Sequence, residues 1–200
     1  DWKTRELSHK PFPCCHFTHA FIDAALFLRE EHHINPTGID AIECKIHPRE
    51  MPVVCEPVET KSRPQTTYDA QFSVPYTVAA SLIQGKVDLD TFQPEAIRDK
   101  TLLELADRTT CIGDETQNYP EYFPGTVTVR MKDGRELTRD EPYNRGCSDN
   151  PVTKEDIESK FRRNAGQVLS SKRADEILAI LRTLESVSNL SDLMSLCQPT

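Results

Sequence analysis

Phe17, Phe21, Ala24, Ala25 and Leu28 recur at helical spacing, which predicts a helix over about residues 17–31. Glu30-Glu31-His32-His33 then runs into Asn35-Pro36-Thr37-Gly38, a stop signal. The period changes from there. Ile42, Cys44 and Ile46 alternate with polar neighbours over 39–47, the pattern of a strand with one face buried. Residues 48–67 are rich in proline, hold no period and read as irregular. A second helix is expected over 75–84, with Ser73 as its N-cap, proline in its first turn, and Gly85 just past its end. Leu102, Leu105 and Ala106 mark a short helix over 100–108, followed by a candidate strand over 109–114.

The clearest local signal is a hairpin. Residues 126–131 alternate with period two, Asp133-Gly134 is a two-residue turn that matches strand twist, and 135–139 returns. Beyond about 150 only helical spacing remains. Thr153-Lys154-Glu155-Asp156 resembles a capping box and opens the stripe Ile157, Phe161, Ala165, Val168 and Leu169. Ala174, Ile177, Leu178, Leu181 and Leu184 define a further helix over 172–185, and a last amphipathic piece covers 189–197. The first segment, 7–13, is extended, because each proline turns the residue before it away from helical backbone. The chain therefore reads as an α+β unit over about 1–145 with a helical tail. A strand–helix–strand start and a later hairpin suit a ferredoxin-like or related split βαβ layout. Two tail helices cannot bury their own stripes and need a further apolar surface.

Composition narrows the class. The 200 residues are 37% hydrophobic and 28% charged, enough for a sizeable core and no sign of disorder. No apolar run reaches the roughly 18–20 residues of a membrane span, and no signal peptide is visible. Net charge is −8, and the four fifty-residue blocks carry −2, −2, −4 and 0. With no basic block, nucleic acid is not an expected partner. The seven cysteines form no C-x-x-C pair and suit a reducing compartment, so a cytoplasmic location is expected, with a mitochondrial one as the alternative. The chain begins at Asp1, which points to a processed product or a piece of a longer protein.

All six histidines lie within the first 47 residues, and the dense block is Lys10-Pro11-Phe12-Pro13-Cys14-Cys15-His16-Phe17-Thr18-His19. His16, His19 and Asp23 share one helix face, so Asp23 is placed to fix the tautomer of His19. Lys10 and the two histidines beside a helix start can hold a polycarboxylate and supply an acid or base. The plain alternative is a set of caps and surface side chains. A zinc reading would use Cys14, Cys15, His16 and His19, but adjacent cysteines seldom both reach one metal, and no second pair stands at finger spacing. Cys14 or Cys15 near His16 also admits a thiolate nucleophile, against the commoner buried, inert thiol. Before the second helix, Gln71 and Tyr76 are candidates to face a ligand, with capping and core packing as the alternative. Arg130, Lys132, Arg135 and Arg139 read as a solvated strand face.

The block 10–25 resembles the MmgE/PrpD family. So do 69–76, running on to Gln84-Gly85-Lys86-Val87, and 150–161, from Asn150-Pro151 to Lys160-Phe161. The three blocks in this order span nearly the whole chain. The family comprises 2-methylcitrate dehydratases, cis-aconitate decarboxylases and iminodisuccinate epimerases. The resemblance implies no metal and no organic cofactor, a homodimer, and an active site between a helical domain and an inserted α+β lid of ferredoxin-like type. It implies that 1–148 is the lid and 149–200 the returning part of the all-α domain, with that domain's N-terminal half absent from this chain. It implies catalytic roles for Lys10 and for one of Cys15, His16 and His19, with His19 favoured. His16, Gln71 and Tyr76 are the expected substrate-binding residues, and Tyr68 and Tyr76 lie near the place of the family's lid tyrosine without a match to it. The block differs from the S-F-P-A-E-F-H type of propionate-pathway dehydratases, which puts the chain nearer the broader decarboxylase and uncharacterised branch and leaves its substrate open.

The expected function is thus part of a cofactor-free lyase acting on a di- or tricarboxylate through a carbanion next to a carboxylate, inactive without its helical half. The rivals are a non-catalytic carboxylate-binding or interaction module and an isomerase of the iminodisuccinate epimerase type.

Overall fold

A computed structural model describes Lys3 and residues 7–198. The chain divides into two compact units, Asp1–Pro151 and Val152–Thr200.

The first unit begins with an extended segment and a 3₁₀ turn, His16–Thr18, that feeds α1, His19–Glu31. Strand β1, Ile39–Ile46, follows. Three short helices then occupy the stretch that the sequence leaves irregular: α2 (Met51–Val54), α3 (Val58–Ser62) and α4 (Thr67–Gln71). Each is four or five residues long, too short for an apolar period, and α4 is held by a capping box between Thr66 and Asp69. Helix α5, Val74–Gln84, starts on Ser73, whose Oγ accepts from the Tyr76 amide, and ends at Gly85. Helix α6, Lys100–Ala106, is capped by Asp99 and leads directly into β2, Thr109–Gly113. Strands β3, Gly125–Met131, and β4, Glu136–Glu141, form the expected hairpin, with Gly134 at φ +88° in its turn.

The four strands run β2-β1-β3-β4. β1 and β2 are parallel, joined by the helical crossover, while β3 pairs antiparallel with both β1 and β4. The α+β class is the one the sequence indicates. In strand order the hairpin stands beside the parallel pair instead of being interleaved with it. Helix α1 packs on β3, β4 and α5, and α5 packs on α6 and β2. The core between helices and sheet holds Phe21, Ile22 and Leu28 of α1, Val78 and Leu82 of α5, Ile42, Cys44 and Ile46 of β1, and Val127 and Val129 of β3. A register shift between Ile39 and Ala41 lets Ile39 join that core despite its odd spacing from Ile42. On the sheet's polar positions Arg130 bridges Glu43 at 3.1 Å and Glu136 at 3.0 Å. The hairpin arginine therefore serves a solvated face, as expected.

The second unit is helical: α7 (Lys154–Ala165), α8 (Ser171–Leu181) and α9 (Ser191–Leu196). The capping box at Thr153 and Asp156 forms as the sequence predicts. Helix α8 packs against α7 and α9, and Arg162–Asp175 and Arg182–Glu158 ion pairs, both at 2.8 Å, tie α7 to α8 and its C-cap. Ala174, Ile177 and Leu178 are buried, while Ile157, Val168, Leu190 and Met194 are exposed. Among the described residues no helix is long and apolar enough to cross a membrane.

Candidate active site

The block from Lys10 to His19 folds as an extended arm that turns into α1. Backbone and side-chain bonds hold the turn. Thr18 donates both its amide, at 3.0 Å, and its hydroxyl, at 2.8 Å, to the Cys15 carbonyl. With its own proton so used, Thr18 Oγ1 accepts from the Cys14 thiol at 3.1 Å. Lys10 Nζ donates to the Cys14 carbonyl at 3.3 Å. Gln71, at the end of α4, clamps the turn from outside. Its side-chain amide donates to the Pro13 carbonyl at 3.1 Å, and its backbone carbonyl accepts from the Cys15 amide at 2.8 Å.

This turn brings His16 and His19 together, with ring centroids 4.7 Å apart. Phe12 stands edge-on to His19 at 5.3 Å, and Phe123 lies 5.3 Å from His16. His19 is fully buried, and neither ring nitrogen has a partner in hydrogen-bonding geometry among the described residues. Burial pushes its pKa down to about 2, helped by His16 and by the charges of Lys10 and Arg145, with a Cys14 backbone group pulling modestly the other way. His16 is half-buried, and burial together with Lys10 lowers it to about 4. Both imidazoles are therefore neutral at physiological pH.

Two contributors come from the loop after β4 and were not singled out in the sequence. Arg145 grips Asp23 with two donors, Nε to Oδ2 at 3.2 Å and Nη2 to Oδ1 at 2.7 Å, and its guanidinium lies 5.2 Å above the Phe12 ring. Asn144, also buried, contacts His16 Nε2 at 3.2 Å. Asp23 thus orients Arg145 and not His19; the carboxylate is drawn to the guanidinium that the loop delivers. The only sequence signal for this loop is its place just ahead of the 150–161 block.

Gly146 makes the juxtaposition feasible. Its φ is +99°, its carbonyl accepts from the His9 amide at 2.9 Å, and a Cβ there would stand 1.9 Å from the His9 carbonyl oxygen. The arm carrying Lys10 and the loop carrying Arg145 can lie side by side only over a glycine.

Lys10, His16, His19 and Gln71 are joined by these contacts. Tyr76 sits in the core, with its hydroxyl donating to the Thr91 carbonyl at 2.7 Å and its phenol pushed upward by burial. Tyr68 is exposed against Phe72. Burial raises the Cys14 thiol to about 12 and Cys15 also above its ordinary value, so both are thiols at neutral pH and the nucleophile reading loses its thiolate. Among the described residues no three His, Cys, Asp or Glu side chains converge as metal ligands. All seven cysteines are free.

A family model, the MmgE/PrpD C-terminal domain, matches residues 12–186. The chain belongs to the MmgE/PrpD family. Among curated proteins it is 31% identical over 137 residues to the cis-aconitate decarboxylase-like protein oryM of Aspergillus oryzae, covering 68% of this chain and 28% of that protein. It is 24% identical to the mouse cis-aconitate decarboxylase and 27% to the human one, each match covering 96% of this chain and 39% and 40% of those proteins respectively. The chain spans at most two fifths of the length of these MmgE/PrpD relatives.

Proposed function

We propose that this chain is the lid and C-terminal portion of a cofactor-free lyase that removes CO2 from cis-aconitate or a close tricarboxylate. The observation that carries the reading is the neutral His16–His19 pair, 4.7 Å apart, in the fields of two cations, Lys10 and Arg145. The names of the three relatives favour decarboxylation over dehydration or epimerisation.

Loss of CO2 breaks a carbon–carbon bond and leaves its electron pair on carbon, delocalised towards the neighbouring unsaturated carboxylate. Fixed cations stabilise that charge as it develops. Lys10 and Arg145 supply them, and each also offsets the repulsion among the substrate's carboxylates. The electron pair must then take up a proton. His19, neutral and with both nitrogens unpaired among the described residues, is suited to relay that proton, passing its N–H proton to carbon as its other nitrogen takes one from solvent. Gln71 keeps the turn in place through Pro13 and Cys15. Homodimerisation belongs to the same proposal.

The test is to offer the whole protein, of which this chain is a part, cis-aconitate, 2-methylcitrate and iminodisuccinate, and to follow the products by proton NMR. Loss of CO2 from cis-aconitate, well above any turnover of the other two, is expected. Turnover of 2-methylcitrate or iminodisuccinate alone, or of none, would overturn the reading.

A further inference from the structure

Asn144 is 2% exposed, and the two ends of its side-chain amide face different groups. Its Oδ1 accepts from the backbone amide of Phe123 at 3.1 Å. That donor cannot reverse its role, so it fixes which way the amide points. The Nδ2 end, which can only donate, is then the one 3.2 Å from His16 Nε2. A nitrogen that accepts a hydrogen bond carries no proton. In a neutral imidazole the proton must then sit on Nδ1.

From this we infer that Asn144 is a positioning residue, fixing His16 as its Nδ1–H tautomer. Ser8 Oγ, 3.4 Å from the same Nε2, is a weaker second neighbour and can donate without conflict. The charged and titratable groups facing the ring are Lys10 from the arm and His19 from α1. Neither asks for a proton on Nε2. Nδ1–H is left without a partner among the described residues. It is a donor from a neutral ring, suited to an anionic oxygen such as a carboxylate; that use rests on the lyase reading, whereas the tautomer does not. His16 and His19 are then unequal: one ring is locked as a donor, the other has neither nitrogen fixed.

The experiment is long-range proton–nitrogen correlation NMR on the protein at pH 7, with imidazole nitrogens labelled and His16 assigned by His16→Gln. The expected spectrum shows protonated-type Nδ1 and unprotonated-type Nε2. In Asn144→Asp the carboxylate can only accept, so the proton should move to Nε2, whereas Ser8→Ala should leave it on Nδ1. A protonated Nε2 in the unmodified protein overturns the inference, as does an Asn144→Asp variant that folds and keeps Nδ1–H. If Asn144→Asp fails to fold, the spectrum of the unmodified protein decides alone. None of these readings needs substrate or turnover, so they stand apart from the test of the lyase proposal.

Discussion

The His9 amide donates to the Gly146 carbonyl at 2.9 Å, and a Cβ on Gly146 would come within 1.9 Å of the His9 carbonyl oxygen. One backbone contact therefore aligns the arm of Lys10 with the loop of Asn144 and Arg145. Gly146→Ala should separate them. The positive φ alone costs about 1–2 kcal/mol for a residue with a Cβ, and the clash adds to it. The expected result is faster hydrogen exchange at the His9 amide with the β1–β3 amides still protected. Unchanged protection at His9 would contradict the account.

The Asp23–Arg145 pair makes a second prediction. It is bidentate and only partly exposed, with side chains 18% and 30% accessible, so it is worth more than a surface ion pair. Asp23→Asn keeps the shape and removes the charge. It should cost about 1–3 kcal/mol of orientation at Arg145. In the whole protein that should appear mainly as a raised KM for the tricarboxylate. Kinetics equal to those of the unmodified protein would remove Arg145 from the site.

Glu50 offers a test by pH. It is fully buried, neither carboxylate oxygen has a partner among the described residues, and burial raises its pKa from 4.5 to about 8. A raised carboxylate pKa means that stability is fully present below pH 4.5 and is lost as pH rises through about 8. The lowered pKa values of His16 and His19 act in the opposite sense: their contribution is present above pH 6.5 and lost as pH falls towards about 4 and about 2. Glu50→Met leaves the histidine contribution intact and removes the other. Urea unfolding at pH 4.5 and pH 8 should show the variant gaining on the order of 2–4 kcal/mol relative to the unmodified protein at the higher pH. Parallel pH profiles would contradict this.

The elements legible in the sequence are those long enough to show a period. Helix α1, strand β1, helix α5 and the hairpin each bury one face repeatedly, so their residues alternate in kind. Helices α2, α3 and α4 have four or five residues and are set by capping and by prolines, which leave no periodic trace. The same distinction runs through the site. Lys10, His16 and His19 could be picked out because they are near neighbours in the chain. Asn144 and Arg145 lie 128 and 122 residues from His16 and Asp23, and their arrival depends on the sheet and on Gly146. Spacing placed Asp23 on the face of His19, but only the fold supplies the guanidinium that takes the carboxylate.

The central claim, that Lys10 works within a decarboxylating site, is tested most directly by CO2 release from cis-aconitate by the whole protein with and without Lys10→Ala. Lys10 is exposed and donates to the Cys14 carbonyl from outside the core, so the substitution should leave the circular dichroism spectrum unchanged. The account predicts a fall in turnover of at least about a hundredfold, the scale of removing one fixed charge-stabilising group. Near-normal CO2 release from a folded Lys10→Ala protein would contradict it.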